Sequence, residues 1–247
     1  MPSPVPTPSR DDAPKTGAGT YSSAIAEAQN YRRWLVDAFR PYLRGRILEV
    51  GFGHGQYSPM LGPAGDYLGI DIDEASVEGA RLAFPGRRFE HCDIAEGARL
   101  RSLVPEGVDT VVSIAVFELV EDDASAVRNL VDVLRPGGHL LVSVPALMML
   151  YNDIDRLAGI RRRYTTGELR ALLETQPLEI LELRYFNPIG GLGWWVNSLK
   201  RHDSLESEGM NAQIRLFDRY VLPISRLIDP LFRSFFGQTV LCIARRR

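Results

Sequence analysis

Three glycines stand at alternate positions in the segment EVGFGHG (49–55), where the apolar run RILEVG (46–51) ends. Glycine permits sharp turns and lets a ligand approach the backbone without meeting a Cβ atom. Open α/β sheets bind their ligands beyond the carboxyl ends of their strands. A dinucleotide site requires the spacing G-x-G-x-x-G, but here Gln56 stands where its third glycine would be. The segment therefore predicts a ligand-binding loop with a spacing that disfavours a nicotinamide dinucleotide.

Two acidic residues follow the next two apolar runs. Asp71 lies in YLGIDI (67–72), twenty residues after Gly51, and Asp93 lies in RFEHCDI (88–94). A carboxylate at such a strand end can accept two hydrogen bonds from a ribose diol. The alternatives are that Asp71 is a solvated acid at the end of a strand and that Asp93 is the N-cap of a helix.

These features occur together with the turn LRPGG (134–138), and over residues 46–145 the chain resembles the small-molecule branch of the class I S-adenosylmethionine (SAM) methyltransferases. The resemblance implies that SAM is the cofactor. It implies that the glycine loop and Asp71 hold SAM, and that Asp93 bonds the adenine amino group beside an apolar residue. A structural role for Glu49 and a passive one for His54 stay open. The cofactor-binding residues expected from the resemblance are Glu49, Gly51, Gly53, Gly55, Asp71, Ile72, Asp93 and Ile94.

The region after the fourth apolar run differs from the family pattern. Methyl transfer requires in-line alignment and exclusion of water, and it requires a general base only where the acceptor must lose a proton. Many members of this branch carry Glu-His here, whereas this chain has Glu118 followed by Leu119. Residues 151–164 resemble a subgroup associated with sugar and glycan-type substrates, but Ile160 replaces the histidine of its G-H-x-R-R-Y motif. Both departures weaken the case for deprotonation by histidine.

The remaining polar residues near these motifs are the candidates for acceptor chemistry. The guanidinium groups of Arg162 and Arg163 suit a clamp on a carboxylate or phosphate, and the alternative is a solvated basic turn. Each of the other residues has a structural role as its alternative. We expect the catalytic residues to be Glu118, Asp153 and Tyr164, and the substrate-binding residues to be Tyr151, Asp155, Arg162, Arg163 and Trp194.

Short apolar runs alternate with helical patterns along the chain. This alternation predicts a doubly wound, Rossmann-like α/β sheet, mostly parallel with one antiparallel strand. We expect one methyltransferase domain over 21–247, with substrate-shaping insertions at about 146–164 and 187–237, the second a helical cap between the last two strands. The predicted strands lie within 46–51, 67–72, 88–94, 108–116, 139–145, 178–186 and 239–245, and the predicted helices lie within 21–43, 74–83, 123–134 and 165–176.

The segment 187–238 is rich in aromatic residues, including the pair Trp194-Trp195. Its aromatic side chains have three candidate roles: core packing against the sheet, the wall of an apolar or sugar-stacking pocket, or an interfacial patch on a membrane. The third is the weakest from sequence alone, because no strong cationic amphipathic helix is apparent.

Composition excludes several classes of protein. The 247 residues are 45% hydrophobic and 24% charged, with 29 basic and 31 acidic side chains. Such balance predicts a globular protein without the basic field of a nucleic-acid binder. Two cysteines and four scattered histidines do not predict a metal site. The proline-rich residues 1–20 are expected to be a disordered tail rather than a signal peptide, and we expect a cytoplasmic location.

The sequence thus predicts a SAM-dependent methyltransferase acting on a small molecule, at an oxygen nucleophile of a sugar-like or natural-product substrate. One rival is a SAM-binding protein of the same fold that performs cyclisation, rearrangement or regulation. A nicotinamide-dependent oxidoreductase is a weaker rival, and nucleic-acid methylation is disfavoured by the charge balance. A homodimer and a weak peripheral membrane contact stay open.

Overall fold

The structure, a computed structural model, describes residues 28–198 and 208–247. The predicted tail 1–20 and the start of the first predicted helix lie outside the described residues. The strands are β1 (Ile47–Val50), β2 (Tyr67–Asp71), β3 (Arg88–His91), β4 (Val108–Ile114), β5 (Leu134–Pro145), β6 (Leu178–Phe186) and β7 (Thr239–Arg246). The α-helices are α1 (Gln29–Phe39), α2 (Glu74–Ala83), α3 (Gly97–Leu103), α4 (Asp123–Val133), α5 (Asp153–Leu157), α6 (Thr166–Leu173), α7 (Pro188–Ser198), α8 (Glu208–Leu216) and α9 (Leu222–Phe232).

The strands form one sheet in the order β3-β2-β1-β4-β5-β7-β6. The pairs from β3 to β5 are parallel, and β7 runs antiparallel to both β5 and β6. The predicted doubly wound sheet with one antiparallel strand is therefore confirmed. The strand order reverses between β1 and β4, and this switch point is where open α/β sheets form their ligand crevice.

Two apolar layers cover the faces of the sheet. One layer contains side chains of α3, α4 and α6, and the other contains side chains of α1 and α2. In β4 the adjacent residues Val111 and Val112 belong to opposite layers, because successive side chains of a strand point to opposite faces. Burial on both faces explains why the central strands are continuous apolar runs.

Short sequence motifs predict most ends of helices and strands correctly. The helix predicted at 74–83 is α2, and its N-cap Asp73 accepts a hydrogen bond from the Ser76 N–H group. The predicted capping box of Thr165 and Glu168 begins α6. The prediction that the turn LRPGG precedes β5 is wrong, because β5 already begins at Leu134. Residues 135–138 form an irregularity inside β5, between the pairs Val108–Leu134 and Thr110–His139.

The connection from β6 to β7 contains α7, α8 and α9, as predicted for an insertion between the last two strands. A π-helical segment, Phe217–Val221, joins α8 to α9 without a break. None of the helices in the described part of the chain is long and apolar enough to cross a membrane.

Candidate functional site

The glycine loop follows β1 at the switch point of the sheet. Gly51, Gly53 and Gly55 have φ values of 65°, 54° and 70°, a left-handed region that glycine adopts without strain. A Cβ atom on Gly51 would lie 2.5 Å from Val116 Cγ2. The loop therefore requires glycine for both its backbone conformation and its close packing.

Asp71 anchors the loop from the end of β2. Its Oδ2 accepts a hydrogen bond of 2.8 Å from the Gly53 N–H group, and its Oδ1 accepts one of 3.0 Å from the Asp73 N–H group. The residue is 4% exposed, so the alternative of a solvated acid is wrong. Burial raises the pKa of this carboxyl. Because each carboxylate oxygen accepts more than one hydrogen bond, Asp71 retains capacity for a ligand.

Glu49 is buried within β1 and links the loop region to β2. Its Oε2 accepts hydrogen bonds from Ser58 Oγ at 2.6 Å and from the Tyr67 hydroxyl. Burial raises the pKa of Glu49 to about 7. These bonds tie together three segments around the glycine loop, which favours the positioning role over direct ligand contact.

Asp93 and Ile94 follow the end of β3, and Ile72 follows the end of β2, the strand that pairs with β3. Asp93 Oδ1 accepts a hydrogen bond of 2.8 Å from the Ala95 N–H group. The helix α3 starts at Gly97 without a side-chain cap, so the helix N-cap alternative for Asp93 is wrong. Ile72 is 46% exposed whereas Ile94 is 6% exposed, so Ile72 presents more apolar surface to solvent.

A cavity of about 530 Å³ lies at the carboxyl ends of β4 and β5, against α7 and α8. This volume is in the range of small-molecule sites. The cavity brings together four of the predicted residues, namely Glu118, Asp155, Arg163 and Trp194. It also includes polar residues that sequence reasoning missed: Tyr31, Gln56, Asn187, Gln213 and Gln238. Only Gln56 had a local signal, since it directly follows the glycine loop.

Glu118 is the most unusual group in this cavity. It is 1% exposed, and its Oε2 has no hydrogen-bond partner among the described residues. Burial raises the pKa of Glu118 to about 8, although the charge of Arg163 opposes this shift. A buried polar atom without a partner is costly, and Glu118 lines the cavity, so its carboxyl is a candidate contact for a ligand there.

Asp155 and Arg163 form a buried ion pair in the cavity wall. Arg163 donates from Nε to Asp155 Oδ2 at 3.0 Å and from Nη2 to Oδ1 at 2.8 Å. Its Nη1 donates to the Ala146 carbonyl at 3.0 Å, and its guanidinium lies 5.5 Å from the centre of the Trp194 ring. Arg163 is therefore occupied inside the protein rather than presented as an anion clamp.

Replacement Asp155→Ala is expected to destabilise the protein by about 3–5 kcal/mol, because it leaves the buried Arg163 charge uncompensated. The matched control is Asp153→Ala, which removes a more exposed ion pair to Arg156 at 3.2 Å and should cost about 1 kcal/mol or less. Urea unfolding of the two variants measures both values. Equal effects would contradict the assignment of Asp155 and Arg163 as the buried pair that supports the cavity wall.

Tyr151 and Asp153 were predicted to contact the acceptor, but neither is among the residues that line the cavity. The Tyr151 hydroxyl donates to the Ile160 carbonyl at 2.9 Å. Asp153 begins α5 and pairs with Arg156. Their observed bonds support the local fold of 151–160.

Arg162 and Tyr164 also lie outside the cavity lining and converge on Asp123. Arg162 Nη1 and the Tyr164 hydroxyl each donate to Asp123 Oδ2 at 2.8 Å. The Tyr164 hydroxyl lies 3.2 Å from the Phe117 carbonyl, and burial raises its pKa. Arg162 and Tyr164 of the R-R-Y motif therefore connect to α4, and Tyr164 also connects to Phe117, the residue before Glu118.

The chain is similar to known methyltransferases. A family model described as "Methyltransferase domain" matches residues 48–142. A "Probable S-adenosylmethionine-dependent methyltransferase" of Mycolicibacterium smegmatis is 34% identical over 173 residues, which are 68% of this chain and 66% of the relative. The ubiquinone biosynthesis O-methyltransferase of Ralstonia nicotianae is 31% identical over 174 residues, 63% of this chain and 73% of that protein.

The fold is shared more widely than the sequence. The crystal structure of a SAM-dependent methyltransferase from Archaeoglobus fulgidus matches with a TM-score of 0.59 at 20% identity, over 91% of this chain and 95% of the other. The chain spans less than two thirds of the length of the M. smegmatis relative and of several others.

Proposed function

Because this chain belongs to the class I SAM-dependent methyltransferases, which use SAM as cofactor, we propose that it methylates an oxygen atom of a small, uncharged acceptor. The observation that carries this proposal is Glu118, a buried carboxyl in the cavity with one oxygen free of partners among the described residues. The sugar-like or natural-product class predicted from sequence agrees with this chemistry.

The cofactor side of the proposal rests on the glycine loop and Asp71. The loop has the conformation and close packing that only glycine allows, and Asp71 faces it from the neighbouring strand. We assign the ribose diol to Asp71 and the adenine amino group to Asp93, with Ile72 as apolar contact. When bound there, SAM supplies the methyl group from its sulfonium.

The acceptor side of the proposal rests on the charges of the cavity. Among its described lining residues, the acids are Glu118, Asp155 and Asp218, and the single base is Arg163, which is paired with Asp155. This excess of acidic over basic side chains disfavours the binding of an acceptor with several negative charges. Aromatic side chains such as Trp194 and Phe217 line the same cavity and suit a ring-shaped, largely apolar acceptor.

Glu118 is proposed as the general base. In its ionised form the Glu118 carboxylate accepts the proton that an acceptor hydroxyl loses on methylation. The Asp155–Arg163 pair and Trp194 form part of the cavity wall. In this assignment Tyr151, Asp153, Arg162 and Tyr164 are positioning residues rather than groups that contact the acceptor.

The test is turnover with SAM that carries an isotopically labelled methyl group. Neutral phenols and sugar alcohols should yield S-adenosylhomocysteine and a labelled methyl ether, whereas di- and tricarboxylates of similar size should yield neither. Mass spectrometry detects both products. Turnover with the carboxylates alone would contradict the acceptor class, and conversion of an acceptor without label transfer would favour the cyclisation or rearrangement alternative.

Other expectations from the sequence stay predictions. These are the cytoplasmic location, the absence of a metal and of a nucleic-acid partner, and the homodimer.

A further inference from the structure

An apolar stripe faces outward along α8, the π-helical segment, α9 and the turn that follows. Its side chains are between 55% and 79% exposed, and their spacing of three or four residues places them on one helix face. The buried face of α9 is formed by other residues, Leu222, Ser225 and Asp229. The outer stripe consists of Leu216, Tyr220, Ile224, Leu227, Leu231 and Phe235.

Exposed arginines follow one edge of the outer stripe. They are Arg215, Arg219, Arg226 and Arg233, spaced by four or seven residues and hence on one side of the helix. Among residues 212–238, the part of this region for which side-chain burial is described, the acids are Asp218 and Asp229, and both are buried. The exposed charge of this segment is therefore wholly positive.

Two of these arginines have contacts that leave them at the surface. The Arg219 guanidinium lies 5.3 Å from the centre of the Tyr220 ring. Arg226 lies 3.9 Å from Asp37 on α1, and both side chains of this pair are well exposed. Exposed pairs of this kind contribute little energy, so Arg226 remains available to a stronger anionic surface.

We propose that the outer stripe docks this protein on an anionic lipid bilayer, with α8 and α9 lying in the plane of the interface. An apolar helix face flanked by cations binds anionic bilayers, because its apolar side chains become buried and its cations are attracted to the anionic headgroups. A two-fold contact with a second copy would present the same patch to itself. In such a contact, residues 212–238 would supply no exposed acid to pair with the arginines of the second copy.

The neighbouring helix α7 extends the apolar surface. It packs on α9, where the Ile189 N–H group donates to Ser225 Oγ at 3.1 Å. Its exposed side chains include Leu192, Trp195 and Val196. Val196 also lines the cavity and is 49% exposed, so the cavity reaches the surface along α7. Docking would bring this edge near the lipid, and an apolar acceptor could then enter from the bilayer. That consequence rests on the proposed function, whereas docking does not.

The test is co-sedimentation of the full chain with vesicles of phosphatidylcholine alone, or of phosphatidylcholine and phosphatidylglycerol in equal parts. We expect binding to the mixed vesicles that weakens as salt is added. The double variants Leu227→Ser/Leu231→Ser and Arg219→Gln/Arg233→Gln should each bind about tenfold more weakly or worse. The matched control Leu82→Ser changes a leucine on α2 that is 85% exposed and should bind like wild type.

Two results would overturn the proposal. One is that the wild-type chain does not sediment with the mixed vesicles, or that the leucine double variant sediments as well as wild type. The other is that the wild-type chain forms a dimer in sedimentation velocity and the leucine variant does not, which would assign the stripe to a second copy.

Circular dichroism and SAM binding verify that the variants fold. The arginine variant alters surface charge only, and it keeps the test decisive if the leucine variant unfolds. No turnover is measured, so a failed docking test and a failed acceptor assay are distinguishable.

Discussion

Replacement Asp71→Ala is expected to lower the affinity for SAM by about 10²-fold or more. Asp71 holds the glycine loop through the Gly53 N–H group at 2.8 Å, and we propose that it also accepts both hydroxyls of the ribose. A hydrogen bond to a charged group contributes about 1.5–3 kcal/mol, so the loss of two such bonds predicts an effect of about 10²–10⁴-fold. Calorimetric titration with SAM measures the change.

The matched control is Asp66→Asn. Asp66 lies just before β2 and is exposed, so it carries the same charge near the opposite end of the same strand. Its replacement should leave SAM affinity unchanged within about twofold. Heat on titration of wild type with NADH, or unchanged SAM affinity in a folded Asp71→Ala variant, would refute the proposed cofactor contact.

Replacement Glu118→Gln is expected to lower kcat by about 10²–10⁴-fold with little change in KM, because glutamine keeps the shape of the side chain but does not accept the proton. In wild type kcat/KM, which reports the free enzyme, should rise with pH and level off above about 8, the pKa to which burial raises Glu118. That rise should be absent in the variant. The measurement is a pH–rate profile of both proteins with a turned-over acceptor. A rise that persists in Glu118→Gln would assign the base to another group.

The same variant has a consequence for stability that needs no acceptor. Between pH 4.5 and about 8 the folded protein keeps the Glu118 proton, whereas the unfolded chain releases it. The free energy of unfolding of wild type therefore falls as pH rises through this window, and Glu118→Gln lacks this fall. In thermal unfolding, the stability of Glu118→Gln relative to wild type should rise with pH and should stay constant above pH 8. The control Glu121→Gln changes a carboxylate whose side chain is 85% exposed and should show no such trend.

Local sequence pattern predicted most of the fold, the glycine loop and the acidic residue Asp71 beside it. The sheet was predictable because each strand is a short apolar run between turn signals, and α2 and α6 because their N-caps are local hydrogen bonds. Position along the chain also indicated Asp71, since carboxyl ends of parallel strands meet at one edge. The sequence did not separate Ile72 from Ile94, because their difference in exposure depends on the elements packed over them.

The arginines of 162–163 illustrate what a motif leaves undecided. Two adjacent guanidinium groups look equally suited to bind an anion. In the folded protein Arg163 is paired with Asp155, eight residues away, and Arg162 is paired with Asp123 on α4. Charge type was readable from the sequence, but whether a charge is paired depends on contacts across the fold.

The doubly wound sheet, the glycine loop and the acids at the carboxyl edge of the sheet were predictable from the amino-acid sequence, because they follow from short-range periodicity, backbone preferences and chain order. The burial of Glu118 in the cavity lining and the outward-facing apolar stripe on α9 depend on the tertiary structure. The stripe crosses a π-helical segment and the prolines Pro223 and Pro230, which interrupt the regular helical pattern. Burial is set by long-range packing, and the same side chains acquire their pKa and their partners only there.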